Sequence, residues 1–467
     1  MENENIQDIY ELSPLQQGIL FHCTYAPELT SLYLVQVAVS FRGDLNVSAF
    51  QRAWQEVVNR HTSLRTNFYW EDIEKPVQIV YKQVKVPLYQ YDWRGIDSVE
   101  QQKRLETFLE KDRRQGFDLS QDFLMRLNLF HLAEDYYELV FSVHFIVADG
   151  WSLALIFQEV AQLYQAFCQG KDVSFAASSS FRDYIAWLQK QDLSKAEDFW
   201  RQKLKGLKTP TCLTNLYADN SSSQEERVDH QITYLSEAAT AALQSFARQH
   251  KLTLFTLLQG VWALLLSYYS CDRKVVYGCT VAGRPVDLKG GDLMVGMMIN
   301  SLPVWVEVDQ EQYLLPWLQQ LQEQLVEMRQ YEYSPLVKIQ GWSEVPRDRP
   351  LFESLVVFEK VTTNQVLPDW EDIETEIHSN FYWTNYPLNL VFYPGSKLAI
   401  EIAYHSHRFD TDTIMGILEH LEILLQGMVT NPEIRLKDLS LSTASESQIA
   451  LMLEKEAIFD FDLVSCN

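Results

Sequence analysis

The sequence predicts an α/β protein made of two similar blocks, and three observations support this prediction. The chain has 467 residues, of which 47% are hydrophobic and 13% aromatic, so it can bury large cores, and its length suggests two or three folding units. Strand-like alternation followed by helical spacing of apolar residues occurs before residue 170 and again after about residue 230. Between them, residues 170–180 are small and polar. We predict one block at 1–175, a second at 176–440 and a linker at 441–467.

The first block begins with a helix whose start is marked by three residues. Ser13 can cap the helix, Pro14 suits the first helical position, and Gln16 can complete a capping box. Strand-like alternation follows at residues 33–41. A second helix is indicated by an apolar stripe, which consists of Phe50, Trp54, Val57 and Val58.

A buried strand that runs into a turn is the most informative stretch of the chain. Residues 139–147 (LVFSVHFIV) are interrupted only by Ser142 and His144, which predicts a strand covered on both faces. Asp149 and Gly150 end the strand, and Ser152 can cap the apolar-periodic helix that follows.

His144 and Phe145 are neighbours on this strand, so we expect their side chains to point to opposite faces. The prediction for His144 is a core histidine with a satisfied hydrogen bond; its use as a substitute base is the second interpretation. Gly150 is expected to permit a tight turn and a close approach of substrate.

The second block contains a crossing region that begins at 181–187, a polar loop (219–227) and, after this loop, one segment that raises the membrane question. Residues 252–271 carry no formal charge and are long enough to span a bilayer. They include polar residues, and their large residues recur at helical spacing, so we predict a buried core helix.

Charge and cysteine usage narrow the possible partners and compartments. Thirty-nine basic and sixty-three acidic residues give a net charge of −24, which disfavours nucleic acid and anionic membrane surfaces as partners. Six scattered cysteines form no CxxC pair, which favours reduced thiols in a cytoplasmic protein. The polar, acidic residues 1–8 do not resemble a targeting sequence.

His405 and His407 have no third ligand nearby in the sequence, so we predict no metal site.

An ordered series of motifs along the chain resembles the condensation domains of non-ribosomal peptide synthetases. Residues 142–152 (SVHFIVADGWS) are similar to the HHxxxDG signature of that family, with Phe145 where the second histidine stands. The other similar segments are 10–22 (YELSPLQQGILFH), 60–66 (RHTSLRT), 181–187 (FRDYIAW), 282–285 (AGRP), 295–303 (VGMMINSLP), 331–336 (YEYSPL), 350–352 (PLF) and 384–388 (TNYPL).

This resemblance implies a specific fold and function. The fold is two chloramphenicol-acetyltransferase-like lobes in a V-shaped pseudo-dimer with a central tunnel. Donor and acceptor peptidyl carrier domains, part of neighbouring synthetase modules, each bring an acyl group on a 4'-phosphopantetheine arm, and the domain joins donor thioester to acceptor amine. It binds no cofactor of its own. His144, the Phe145 position, Asp149 and Gly150 form the catalytic motif, and Ser152 is a candidate tunnel residue.

The resemblance also places residues of the second block at the tunnel. A carboxylate at a closed turn between lobes needs a cation, and Arg65 and Arg284 are the two motif arginines; we prefer Arg284 because its motif would bring the second lobe to the tunnel. Asn300 and Ser301 are candidates to line the acceptor side, and capping of a strand end explains them equally well.

Phe145 leaves the activity open, because a phenyl ring accepts neither a proton nor a hydrogen bond. In that family the second histidine acts on the acceptor amine, either as a base or as a group that orients it. Phe145 is compatible with a substitution introduced to trap a substrate complex, with a natural loss that leaves a docking scaffold, with a weak enzyme that relies on proximity, and with a plain core aromatic.

Two function classes therefore follow. One is an amide-forming transferase; the other is a catalytically silent domain that recruits a carrier protein or a tailoring enzyme. Epimerisation also needs the missing histidine, heterocyclisation would put Asp at position 144, and a plant-type acyltransferase would have a DFGWG motif that is absent.

Overall fold

A computed structural model describes residues 3–441 except 172, 174, 176–178, 214–215, 217–226, 360–369 and 371. The predicted α/β class is confirmed: the described residues form three sheets with helices packed on them. Most of the predicted loop at 219–227 and of the linker at 441–467 lies outside the described residues.

The first large sheet has the strand order β12-β2-β7-β6-β5, in which β12 is the late segment Glu374–Tyr382. Strands β5 and β6 are parallel, and the other neighbours are antiparallel. The elements of this part of the chain are α1 (Pro14–Tyr25), β2 (Leu34–Arg42), α2 (Val47–Arg60), β5 (Leu88–Asp92), α3 (Ser98–Gln115), β6 (Met125–Ala133), β7 (Tyr136–His144) and α4 (Gly150–Cys168). A small sheet of order β1-β4-β3 lies beside them, with β1 (Ile6–Glu11), β3 (Thr66–Tyr69) and β4 (Val77–Tyr81).

The second large sheet has the order β10-β9-β11-β13-β14-β8. Its strands are β8 (Val228–Tyr234), β9 (Lys274–Val281), β10 (Asn300–Glu307), β11 (Ser354–Phe358), β13 (Leu388–Tyr393) and β14 (Ala399–His405). The helices of this part are α5 (Phe181–Leu188), α6 (Leu193–Lys203), α7 (Glu237–Gln249), α8 (Leu254–Ser270), α9 (Leu314–Met328), α10 (Leu336–Trp342) and α11 (Thr411–Thr430).

The two large sheets repeat one topology, which confirms the two similar blocks. In the first sheet β5 runs parallel to β6, and β7 and β2 follow in antiparallel sense. In the second sheet β11 runs parallel to β13, and β14 and β8 again follow in antiparallel sense. Helices α2 and α4 follow β2 and β7 just as α7 and α11 follow β8 and β14. We call the two halves the first and the second lobe.

One strand of late sequence belongs to the first lobe. Strand β12 (Glu374–Tyr382) pairs antiparallel with β2 along its length, from Glu374 opposite Arg42 to Tyr382 opposite Val35. The first sheet therefore contains chain from both sides of residue 175, and the boundary between 175 and 176 stays a prediction.

Each lobe has its own apolar core. The core of the first lobe surrounds Trp54, Phe141 and Phe157, and the larger core of the second lobe surrounds Trp262, Leu318 and Leu421. Aromatic pairs such as Trp54 on Phe141, with centroids 5.4 Å apart, add to the burial of apolar area.

Local signals located the helix starts with one error. Ser13 and Gln16 form the predicted capping box of α1, and Pro14 is the first residue of this helix. Helix α4, in contrast, is capped by Asp149, which accepts from the Ser152 backbone N–H at 2.8 Å. The proposed cap Ser152 is thus the third residue of the helix, because Asp149 occupies the extended position that precedes it.

The uncharged segment 252–271 forms α8, which lies in the core of the second lobe as predicted. Within the described residues, no single helix is long and apolar enough to cross a bilayer; α7 and α8 meet that criterion only together, and they are bent by 104°.

Candidate active site

A cavity of about 810 Å³ lies between the two lobes. From the first lobe it is lined by α1 and by the turn between β7 and α4, including Phe145, Gly150 and Trp151. The second lobe contributes β9, β10, α9, α10 and the ends of β11 and β13. Phe145, Gly150 and Trp151 of the HHxxxDG-like segment therefore face a space lined by both halves of the chain.

Asp149 fastens the turn to the second lobe. Its side chain is fully buried, Oδ1 accepts from the Ser152 hydroxyl at 2.7 Å, and Oδ2 accepts from the backbone N–H of Met298 at 3.1 Å and of Ile299 at 3.3 Å. A carboxylate with this many donors is held in place. It has no accessible oxygen for a substrate, so its geometry is that of a structural anion.

Arg284 is the cation that pairs with Asp149. Its two terminal nitrogens donate to Oδ2 and Oδ1, each at 2.9 Å, and its side chain is only 7% exposed. The other candidate, Arg65, was wrong as an ion-pair partner: its guanidinium donates to Gln7 Oε1 and to backbone carbonyls, including those of Val58 and Asn59. Arg65 instead joins elements of the first lobe. The acceptors of its hydrogen bonds are carbonyl oxygens, not a carboxylate.

The strand predicted at residues 139–147 ends at His144, because Phe145–Val147 form a 3-10 helix. The side chains of His144 and Phe145 lie in different surroundings, as predicted, although Phe145 is not part of the strand. His144 is 2% exposed, its Nδ1 accepts from the Ile146 N–H at 3.1 Å, and its Nε2 lies 3.7 Å from Cys23 Sγ. Burial lowers the pKa of His144 to about 3. It is therefore a neutral core histidine with both ring nitrogens facing protein atoms. The ring of Phe145 instead lines the cavity.

Ser152 does not line the cavity, so its prediction as a tunnel residue is corrected. It is fully buried among the interlobe contacts, where its hydroxyl donates to Asp149 and its oxygen accepts from the Gly296 N–H at 3.0 Å. Ser152 thus helps to join the lobes, because α4 begins at their interface.

Asn300 and Ser301 line the cavity, and Asn300 also has a structural role. The Asn300 amide donates to the carbonyls of Glu332 and Ser334, both at 2.8 Å. Its amide hydrogens are therefore occupied in holding the segment that precedes α10. Contact of Asn300 and Ser301 with substrate stays a prediction.

Among the titratable cavity residues that the sequence did not indicate as candidates, two have the chemistry to accept a proton and no opposite charge beside them within the described part of the chain. The first is His22, the last residue of the opening motif. The Tyr33 hydroxyl donates to Asn385 Oδ1 at 2.7 Å and lies 2.7 Å from His22 Nδ1, so Nδ1 carries the hydrogen and Nε2 is left as an acceptor. Burial lowers the pKa of His22.

Glu359 is the second such residue. It follows β11 directly and faces Gly150, where an added Cβ would lie 3.1 Å from Glu359 Oε1. Burial, and then the negative charge of Asp149, raise its pKa to about 7. No local pattern in the sequence singles Glu359 out, because its role depends on the fold placing the end of β11 opposite Gly150.

The histidines of the second lobe do not form a metal cluster among described residues. The rings of His405 and His407 lie 5.6 Å apart, and His405 Nε2 accepts from Trp383 Nε1 at 3.2 Å. Across the described ranges, no group of three or more His, Cys, Asp or Glu side chains is placed to hold a metal ion.

Comparison with known proteins gives consistent matches. The family model described as "Condensation domain" matches residues 6–451. A protein of the linear gramicidin synthase of Brevibacillus parabrevis is 42% identical over 445 residues, covering 95% of this chain and 9% of that protein. Surfactin synthase subunit 3 of Bacillus subtilis (strain 168) is 31% identical over 458 residues, covering 96% of this chain and 35% of that protein. The chain thus spans a small part of these relatives.

Solved structures match in fold. The starter condensation domain of rhizomide synthetase has a TM-score of 0.79 at 18% identity and covers 93% of this chain and 98% of that one. The X-domain from teicoplanin biosynthesis has a TM-score of 0.78 at 24% identity, with coverage of 92% and 97%. A four-domain nonribosomal peptide synthetase bound to AMP and glycine has a TM-score of 0.78 at 20% identity, with coverage of 95% and 34%.

Proposed function

Because the chain belongs to the condensation-domain family, we propose that it forms an amide bond between a donor acyl or peptidyl thioester and the amine of an acceptor aminoacyl thioester. The observation that supports this reaction is the cavity between the lobes, into which the turn at Phe145 and Gly150 projects. Two substrates that enter the same enclosed space can meet there.

Both substrates are proposed to arrive on 4'-phosphopantetheine arms of donor and acceptor carrier domains, which neighbouring modules of a synthetase supply. The relatives are parts of such synthetases. The cavity lining is mostly apolar, with uncharged polar side chains such as Thr280, Asn300 and Asn389. This lining fits an uncharged chain with amide groups, because amides need a few hydrogen-bond partners and otherwise tolerate apolar contact.

In this arrangement the protein contributes mainly by holding the reactants together. Fixing an amine beside a thioester carbonyl removes several kcal/mol of the barrier through effective concentration. The Asp149–Arg284 pair keeps the turn and the second lobe in register, so the walls of the cavity are fixed before substrate binds. The V-shaped arrangement of the lobes and a tunnel open at both ends remain predictions.

Phe145 favours a second candidate, a silent domain that recruits a carrier protein or a tailoring enzyme. Its ring occupies the cavity position at which the family has a histidine, and it cannot accept a proton. The teicoplanin X-domain, which shares this fold, is described in a complex with OxyB. A domain of this fold can therefore act as a binding partner.

A single-turnover assay separates the two candidates. The chain is mixed with a donor-loaded and an acceptor-loaded carrier, and the amide on the acceptor carrier is followed by intact-protein mass spectrometry. Amide formation that requires the chain supports the transferase. If both the wild type and the Phe145→His variant bind the carriers but form no amide, the transferase function is contradicted and the recruiting function is favoured. Omission of the chain and use of N-acetylated acceptor are the controls.

A further inference from the structure

We propose that Glu359 binds the acceptor amine in the cavity and accepts its proton, in the role that Phe145 cannot perform. This inference rests on the proposed function and names the group that handles the amine. It follows from the position of Glu359, from the charges that surround it and from the absence of any other available carboxylate among the described lining residues.

Glu359 lies beside the turn between β7 and α4. Its carboxylate lies so close to Gly150 that a Cβ there would be 3.1 Å from Oε1 and 3.3 Å from Oε2. Its backbone N–H donates to the Phe392 carbonyl at 3.0 Å, which fixes the end of β11 against β13. Both Glu359 and Phe145 line the cavity, so an amine near the turn is within reach of the carboxylate.

Charge distinguishes Glu359 from the other lining residues. Four described lining residues carry a formal charge: Arg284, Arg329, Glu332 and Glu359. Arg284 is paired with Asp149, and Arg329 with Glu332 at 3.1 Å. Among the described residues Glu359 has no cation beside its carboxylate. A cationic or hydrogen-bond-donating group on the substrate would satisfy it, and the acceptor amine is such a group.

The groups around Glu359 suit proton transfer. Three titratable groups are close enough to interact electrostatically with Glu359: Asp149 at the cap of α4, Tyr382 of β12 and Tyr393 of β13. Burial raises the pKa of both tyrosines, so their hydroxyls stay protonated and do not compete for the proton of the amine. With a pKa near 7, the carboxylate is matched to an amine that must lose a proton at neutral pH.

Atoms and charges balance in the proposed step. The acceptor nitrogen attacks the thioester carbonyl carbon, and its proton passes to a Glu359 carboxylate oxygen as the C–N bond forms. The C–S bond breaks, and the leaving thiolate takes up one proton, so the products are an amide and a thiol. The carboxylate is restored when its proton passes to the thiolate or to solvent.

The test compares binding of two ligands to the whole chain. The probes are glycyl-pantetheine and its desamino counterpart, each with an amide in place of the thioester so that neither reacts. We expect wild type to prefer the amine about 10-fold or more, as for a hydrogen bond to a charged group. Glu359→Gln should abolish this preference while it still binds the desamino ligand, and Glu359→Asp should restore part of it.

Matched variants make the outcome decisive. Glu374→Gln removes an exposed carboxylate on β12 that does not line the cavity, and it should bind both probes as wild type does. An unchanged amine preference in a folded Glu359→Gln variant would overturn the proposal, as would loss of the preference in His22→Asn instead. The binding test requires no turnover, so its result is independent of the proposed reaction. A catalytically silent domain can show the amine preference, and an active domain can lack it.

The pH dependence gives a second readout. In wild type the amine preference should weaken as the pH falls through about 7, because Glu359, whose pKa is about 7, becomes protonated. In Glu359→Gln the binding of the two probes should stay alike at each pH. A wild-type pH profile in this variant would assign the amine to another group.

Discussion

His144 and His405 occupy equivalent positions in the two lobes. Each is the last residue of a strand, β7 or β14, and each precedes by five residues an aspartate that caps the next helix, Asp149 or Asp410. Burial lowers both pKa values, to about 3 and about 4. The His-x4-Asp step is therefore an element of the fold, and what is special to the first lobe is Phe145 and the pairing of Asp149.

The pair Asp149 and Arg284 should contribute strongly to stability. Asp149→Ala leaves the 7% exposed Arg284 without its anion, which typically costs about 3–5 kcal/mol. Asp410→Ala removes the equivalent cap on the exposed start of α11 and should cost about 1 kcal/mol. Urea denaturation of both variants measures the difference. Equal losses would show that the interlobe ion pair adds nothing to the helix cap.

Phe145→His should restore a base or an amine-orienting group at the turn. We expect the rate of single-turnover condensation to rise by about 10²–10⁴-fold. Carrier affinity should barely change, because docking surfaces do not depend on this side chain. Equal rates in both forms, with correctly loaded carriers, would show that position 145 is not catalytic in this chain.

Gly283→Ala should disrupt the approach of the second lobe. Gly283 has φ +60°, and an added Cβ would lie 1.7 Å from the Met298 carbonyl oxygen, so the backbone beside Arg284 must move. Gly170→Ala is the control, since its φ is +66° and nothing lies within 4 Å; it should cost only the left-handed strain of about 1–2 kcal/mol. A thermal melt in which Gly283→Ala is no worse than Gly170→Ala would contradict this expectation.

Glu138 should make the first sheet sensitive to pH. It is 2% exposed, and Glu376 lies two strands away on the other side of Ser40. Burial, and then the charge of Glu376, raise its pKa to about 8. Because the pKa of Glu138 is higher in the folded than in the unfolded protein, Glu138 stabilises the folded state fully at pH values below its unfolded pKa. This stabilisation is lost as the pH rises through the folded pKa of about 8.

Between pH 5 and pH 8 the wild type should therefore lose stability relative to Glu138→Gln, by at most about 1.4 kcal/mol per pH unit. Urea denaturation at both pH values checks this, with Glu374→Gln as the exposed control. A constant difference between wild type and Glu138→Gln across this range would show that Glu138 does not titrate there.

The sequence could predict elements that depend on local signals. The capping box of α1, the buried helix α8 and the partner of Asp149 follow from capping chemistry, apolar spacing and the need of a buried charge for a cation. Ser152 was misplaced because both Asp149 and Ser152 are good capping residues, and only the backbone conformation decides between them.

Other features depend on contacts distant in sequence. Glu359 becomes a candidate only when β11 places it opposite Gly150, more than 200 residues earlier in the chain. Likewise, Tyr33 and Asn385 fix the hydrogen on His22 from opposite ends of the sequence, a relationship that no local pattern encodes.

Strand β12 determines where this chain could recombine with a relative. In the first lobe, α3 connects the parallel strands β5 and β6; in the second lobe, the corresponding connection between β11 and β13 carries β12 to the edge of β2. A chimera joined at the midpoint would therefore set a foreign strand against β2. Exchange of half-domains would preserve the hydrogen bonds of this sheet only if residues 374–382 travel with the first half of the chain.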